Sequence, residues 1–135
     1  MASPFDDRPT YVAHTGIELT DHGPDLATGR LEITEDHHQP YGVVHGGVYC
    51  TMIETLASTG ALLWAIEQGM AGAVGLSNKT DFIRATTDGV LIGRAIPIHR
   101  GRTHQLWQVD LTREEDGKLA AHGEVRLQNV TSTDF

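Results

Sequence analysis

The sequence predicts an α+β fold in which one long helix is wrapped by a curved antiparallel sheet. Three observations carry that expectation. Residues 44–68 hold apolar or small side chains around most of a helical circumference, with Val48, Met52, Leu56, Leu62 and Ile66 at three- to four-residue steps. A helix of that kind is buried, not laid on a surface. Four extended runs follow it, "AVGLSNKTDFIRA", "GVLIGRAIPIHRG", "THQLWQVDLTRE" and "KLAAHGEVRLQNV". The turn-like stretches "TTDG", "HRGR" and "REEDGK" separate them, as in consecutive hairpins of an antiparallel meander. A helix with no polar side needs a sheet that curls around it.

At 135 residues the chain fits a single domain with a proper core. Residues 1–9 read as a flexible leader, 10–130 as the domain and 131–135 as a frayed tail. "YVAHTGIELTDHGP" starts with a short helical turn and extends towards Gly23-Pro24, a strong punctuation. "LATGRLEITEDH" sets Leu31 and Ile33 against Arg30, Glu32 and Glu35, the alternation of a half-exposed strand. "HHQPYG" is a loop, because the residue before Pro40 is pushed out of helical geometry and Gly42 allows a tight turn. The helix ends among glycines from Gly69 to Gly75, residues favoured just past helix C-termini. No repeat or low-complexity segment interrupts this order.

Composition narrows the function. Apolar residues make up 39%, charged residues 21%, and the net charge is −8. That balance is globular and opposes nucleic-acid binding, which needs clustered Lys and Arg; His99-Arg100-Gly101-Arg102 is only a local basic patch. Cys50 is the single cysteine, so no intrachain disulfide forms and a reducing compartment is favoured. "MASPFDDRPT" lacks the basic and apolar regions of a secretion signal, and no stretch reaches the roughly 18 apolar residues of a membrane span. A cytoplasmic location without membrane association is expected.

The chemistry concentrates in "QPYGVVHGGVYCTMIETLAS", residues 39–58. Gly46 and Gly47 at a helix start leave backbone N–H groups open. Those groups are unpaired and lie at the positive end of the helix dipole. They could hold a carbonyl oxygen that gains charge during attack, or simply allow close packing against a strand. Glu54 is an acid on a mostly apolar helix. Unless it occupies an exposed face or an ion pair, partial burial leaves it poorly solvated and more reactive as a base or nucleophile.

Spacing relates the two. Gly46 and Glu54 are eight residues apart, about 12 Å along a helix, too far for one Glu side chain to serve a carbonyl at its own helix start. If both act on one substrate, the Glu comes from a second subunit with the helices antiparallel. Ser58 lies one turn beyond Glu54 on the same face and could position a water or hydrogen-bond the acid. Gln39 could contact substrate from the loop, and His45 either contacts it or caps the helix. His37, His38 and His45 do not match metal-ligand spacing. Cys50 reads as inert core packing. No G-x-S-x-G, G-x-G-x-x-G or P-loop is present.

The pattern Q-P-x-G-x-x-H-G-G-x(6)-E-x(3)-S, followed by "NKTDFIRA" and "HRGRTHQLWQVDL", resembles the hotdog-fold acyl-CoA thioesterases. Within them it resembles the phenylacetate-pathway (PaaI-like) branch, including 4-hydroxybenzoyl-CoA and 1,4-dihydroxy-2-naphthoyl-CoA thioesterases. The resemblance spans roughly residues 10–130. It implies Glu54 as catalytic carboxylate, nucleophile or general base, and Gly46 N–H as the group that polarises the thioester carbonyl. Gly47 lies beside it, Gln39 and His45 line the site, and Ser58 assists the acid.

The resemblance also implies a homodimer assembling to a homotetramer, and an acyl-CoA substrate hydrolysed without metal or bound cofactor. Arg84, Arg100 and Arg102 are candidates for the coenzyme A phosphates. Many relatives have Asn and Asp where Gln39 and Glu54 stand, and Arg-Pro where Arg84-Ala85 stands. The competing readings are a non-catalytic acyl-CoA-binding protein on this scaffold, and a hotdog hydratase or dehydratase, whose Asp/His pair is not found here.

Overall fold

The computed structural model describes residues 9–132. The expected leader and tail therefore fall, except for residues 9 and 131–132, outside the described residues. A short helix α1 (Tyr11–Thr15) leads into strands β1 (Glu18–His22) and β2 (Ala27–Glu32), a hairpin. After a 3-10 turn (Glu35–His37) comes the long helix α2 (Gly46–Glu67). Strands β3 (Gly72–Phe82), β4 (Val90–Arg100), β5 (His104–Arg113) and β6 (Leu119–Val130) complete the chain.

Six antiparallel strands form one sheet in the order β1-β2-β4-β5-β6-β3. It wraps α2, whose Met52, Ile53, Leu56, Ala57 and Ala61 are buried with Trp107, Val109, Leu111, Val125 and Leu127 from the strands. The expected α+β, hotdog-like architecture is what the chain adopts.

The expected run of four consecutive hairpins is corrected. Only β4, β5 and β6 form a meander; β3 pairs with β6, on the far edge from β2. The 83–89 connection is no hairpin turn because it crosses the start of α2. There Val44 N–H donates to Thr86 O (2.8 Å), and Tyr49 Oη donates to Arg84 O (2.9 Å) and Thr86 Oγ1 (2.9 Å). Those bonds tie an otherwise exposed connection to the helix at Thr86, the one buried residue of 83–89.

Local chemistry sets the helix ends. His45 is the N-cap: its Nδ1 accepts from Gly47 N–H at 2.7 Å. At the other end Gly69 takes φ +85°, and Met70 N–H to Ala65 O and Gly69 N–H to Ile66 O, both 2.9 Å, close a Schellman turn. Inside the helix the hydroxyls of Thr51, Thr55 and Thr59 each donate to the carbonyl four residues back. Polar groups on a mostly buried helix are thereby satisfied.

The sheet does not close around the whole helix. Cys50, Thr51, Glu54, Ser58 and Leu62 form a half-buried stripe, and β3 is an edge strand with Val74 and Leu76 exposed. This corrects Cys50 as core: it sits on the side of α2 that its own sheet leaves open.

Candidate active site

Two clefts open along α2. The first, about 280 Å³, lies at the helix start and is lined by Gln39, Val43, Gly46, Tyr49, Phe82 and Arg84 among others. Gly46 N–H has no acceptor among the described residues. Gly47 N–H, in contrast, is taken by His45. Of the two glycines, Gly46 is thus the one with a donor to offer. His45 receives that bond on Nδ1, so its neutral ring carries the proton on Nε2.

Gly46 also serves packing. A Cβ there would come within 2.6 Å of the Phe82 ring. Phe82 is 58% exposed and packs on Tyr49 with ring centroids 5.9 Å apart. Of the two sequence readings of the glycine, close packing against a strand is the one these contacts bear out. Gln39 lies at the same cleft with its Oε1 accepting from Tyr41 N–H, which leaves its amide NH₂ as a donor.

The second cleft, about 340 Å³, is lined by Tyr11, Val12, Cys50, Thr51, Glu54 and Asn78 among others. A hollow of about 250 Å³, which Glu54 also lines, includes Ser58, Leu62 and Ala73. Ser58 Oγ donates to Glu54 Oε2 at 2.9 Å, as the one-turn spacing suggested. One carboxylate oxygen is held and the other is available to a water or a carbonyl carbon. Asn78 Nδ2 donates to Cys50 O at 3.1 Å and ties β3 to the helix one turn before Glu54. Tyr11 Oη and Thr51 Oγ1, 2.9 Å apart, join α1 to the same side.

The remaining predicted residues separate. Arg84 stays at the first cleft, its Nη1 donating to Leu119 O at 2.9 Å. Arg100 is held elsewhere by Asp25 (2.7 Å), Pro24 O and the face of Trp64, towards the other end of α2. Arg102 is exposed in the β4–β5 turn, its carbonyl accepting from Asn129. Neither is brought to the clefts. The histidines of the loop are spoken for: His37 Nε2 donates to Thr15 O and His38 Nε2 to Thr87 O, both 2.6 Å. No cluster of three metal-ligating side chains occurs among the described residues.

Sequence reasoning missed Phe82, Asn78 and Gly75. All three lie on β3, and only the pairing of β3 with β6 turns them towards the helix. The one local signal for Asn78 and Phe82 is "NKTDF", whose polar and apolar residues break strand alternation, and Gly75 has none.

Known proteins share this architecture. The profile of the Thioesterase superfamily matches residues 41–120. A Mycobacterium tuberculosis protein named "Putative esterase Rv1847" is 45% identical over 121 residues, 89% of this chain and 86% of its own. Its solved structure superposes with a TM-score of 0.86, covering 89% of this chain and 95% of that one at 43% identity. "Proofreading thioesterase EntH" of Cronobacter turicensis is 34% identical over 106 residues, 78% of this chain and 76% of its own. The structure of thioesterase HI1161 from Haemophilus influenzae gives a TM-score of 0.85 at 32% identity, covering 95% and 89% of the two chains.

Proposed function

The chain belongs to the thioesterase superfamily, and we propose that within it the protein is an acyl-CoA thioesterase with sites shared between two subunits. It is a hydrolase acting on thioester bonds. One observation carries the finer reading: the unpaired Gly46 N–H and the Ser58-held Glu54 line separate clefts of one helix. Two helices packed antiparallel about a two-fold axis bring Gly46 of one subunit to Glu54 of the other. The open stripe of α2 and the β3 edge, with Val74 and Leu76 exposed, supply the surface for that packing, since an unpaired edge strand is a template for a second chain.

In this reading the thioester oxygen accepts from Gly46 N–H at the positive helix end. Glu54 of the second subunit either attacks the carbonyl carbon, forming an acyl-enzyme anhydride that water hydrolyses, or takes a proton from an attacking water. In both routes the C–S bond breaks, the sulfur leaves with its electron pair and is protonated as CoA, and water supplies the oxygen added to the acid. Gln39 and His45 line the carbonyl end, and Arg84, already beside Gly46, is the arginine best placed for a CoA phosphate.

No step needs a metal or bound cofactor. The PaaI-like assignment with an aryl acyl group, a homotetramer of paired dimers and a cytoplasmic location complete the reading. Among the described residues no helix is long and apolar enough to cross a membrane.

Mixed subunits test the shared site. Glu54→Ala and Gly46→Pro proteins are each expected to be nearly inactive. Refolded together, half the dimers are mixed and each has one intact site of two, so about a quarter of wild-type benzoyl-CoA hydrolysis returns. Mixtures that stay at the sum of the parents refute a shared site. Faster turnover of hexanoyl-CoA than benzoyl-CoA refutes the aryl assignment alone.

A further inference from the structure

We infer that Gly75, on β3, is a positioning residue for the Glu54 carboxylate, and that it is glycine to leave that carboxylate its space. The inference rests on the reading of Glu54 as the reacting acid. A Cβ built at Gly75 would lie 2.9 Å from Glu54 Oε2 and 3.5 Å from both Cδ and Oε1, and these are its three nearest atoms. Oε2 is also the oxygen that Ser58 holds at 2.9 Å. The carboxylate is therefore fixed between a hydroxyl on its own helix and a bare backbone on the strand.

Nothing else at this position calls for glycine. Gly75 is not among the glycines with positive φ, so its backbone suits any residue. The other glycines of the sheet interior differ in what they accommodate. A Cβ at Gly29 or Gly93 would meet Leu56, and one at Gly123 would meet Ile53, so these three make room for the core. Within a strand glycine is less stable than alanine, so the fold alone would be served better by a side chain at 75.

The strand is shaped around the same spot. β3 pairs Gly75 with Leu127 but Ser77 with Arg126, so Leu76 is an extra residue in a bulge. One extra residue exchanges the two faces of everything after it. Ala73 and Gly75 face the helix before the bulge, opposite buried Asn129 and Leu127; Asn78, Thr80 and Phe82 do so after it, opposite Val125, Gly123 and Ala121. Without the bulge Lys79 and Asp81 would take that face, and neither the Asn78 bond to Cys50 nor the Phe82 ring over Gly46 would form. The bulge that follows Gly75 thus sets both clefts at once.

The test is Gly75→Ala, assayed with benzoyl-CoA beside Glu54→Ala and Glu54→Asp. The added methyl meets only the far end of the Glu54 side chain, which can rotate away from Ser58, so the protein should fold with a Tm at or above wild type. The displaced carboxylate should lower kcat about 10- to 100-fold while KM stays within about twofold. Glu54→Asp withdraws the carboxylate by one methylene, so adding Gly75→Ala to it should cost less than about threefold further.

Wild-type kcat in Gly75→Ala with an inactive Glu54→Ala overturns the inference and leaves the Glu54 reading standing. An active Glu54→Ala overturns both. A lowered Tm in Gly75→Ala, or the same loss of kcat in both backgrounds, also overturns it, since either makes the glycine a packing residue.

Discussion

The donor assigned to Gly46 can be removed without removing anything else. Gly46 is the first residue of α2, the position where proline is tolerated because its missing N–H has no partner inside the helix. His45 before it has φ −63° and ψ 135°, the extended geometry that a following proline requires. Gly46→Pro therefore deletes one N–H that no acceptor among the described residues uses. It also adds a Cβ, which would reach the Phe82 ring at 2.6 Å. Gly46→Ala adds the same atom and keeps the N–H. Since Phe82 is 58% exposed, its ring can swing aside equally in both variants.

The ratio between the two variants reports the lost donor together with the ring carbon Cδ that replaces its hydrogen. Loss of one oxyanion donor costs about 10²- to 10³-fold in kcat, about 2.7–4 kcal/mol, whereas the stabilities should agree within about 1 kcal/mol. Steady-state hydrolysis of benzoyl-CoA, followed as released thiol, measures the first, and thermal denaturation the second. Equal kcat values for the proline and alanine variants would refute Gly46 N–H as the carbonyl's partner, however low both fell.

Two further outcomes probe the scaffold. Gly60→Ala places a Cβ 2.4 Å from Trp107, a wholly buried ring whose Nε1 donates to Gln105 (2.8 Å), itself bonded to Ala61 O and Asn129. The ring cannot retreat, so thermal denaturation should show a loss of about 1–3 kcal/mol; an unchanged Tm would show that the helix can move off the sheet. In the β5–β6 turn the Arg113 guanidinium, helped by Lys118 N–H, holds the Asp116 carboxyl below the usual carboxylate range. A lowered folded value gives stability that is present above the unfolded value and lost as pH falls through the folded one. The Tm gap between wild type and Asp116→Asn should accordingly be widest near neutrality and close in acid; a gap that widens in acid refutes the pairing.

What the sequence discloses here follows from which contacts are local. The cap of His45 on Gly47, the bond of Ser58 to Glu54 and the gap from Gly46 to Glu54 are all set by helical spacing, so they are readable once the helix is recognised. The place of β3 is not. "TTDG" has turn chemistry, yet Thr86 is buried at 3% and its carbonyl receives Val44 N–H, because the segment crosses the helix instead of reversing beside it. Arg100 and Arg102 share a basic patch in sequence but stand away from both clefts, since the β4–β5 hairpin carries them towards Asp25 and Asn129.

The bulge at Leu76 shows most clearly why the remainder was hidden. Read with strict alternation, "GLSNKTDF" turns Ser77, Lys79 and Asp81 to the same face as Gly75, and the strand reads as one that shows charges to the helix. The extra residue reverses this, but it is defined only by the partner strand: Gly75 against Leu127, Ser77 against Arg126. Those partners lie some fifty residues later in the chain. A glycine whose backbone suits any side chain, next to a bulge visible only in register, leaves no local trace. The chemistry readable on the helix, an acid and an open N–H, therefore depends on a strand whose contribution appears only after folding.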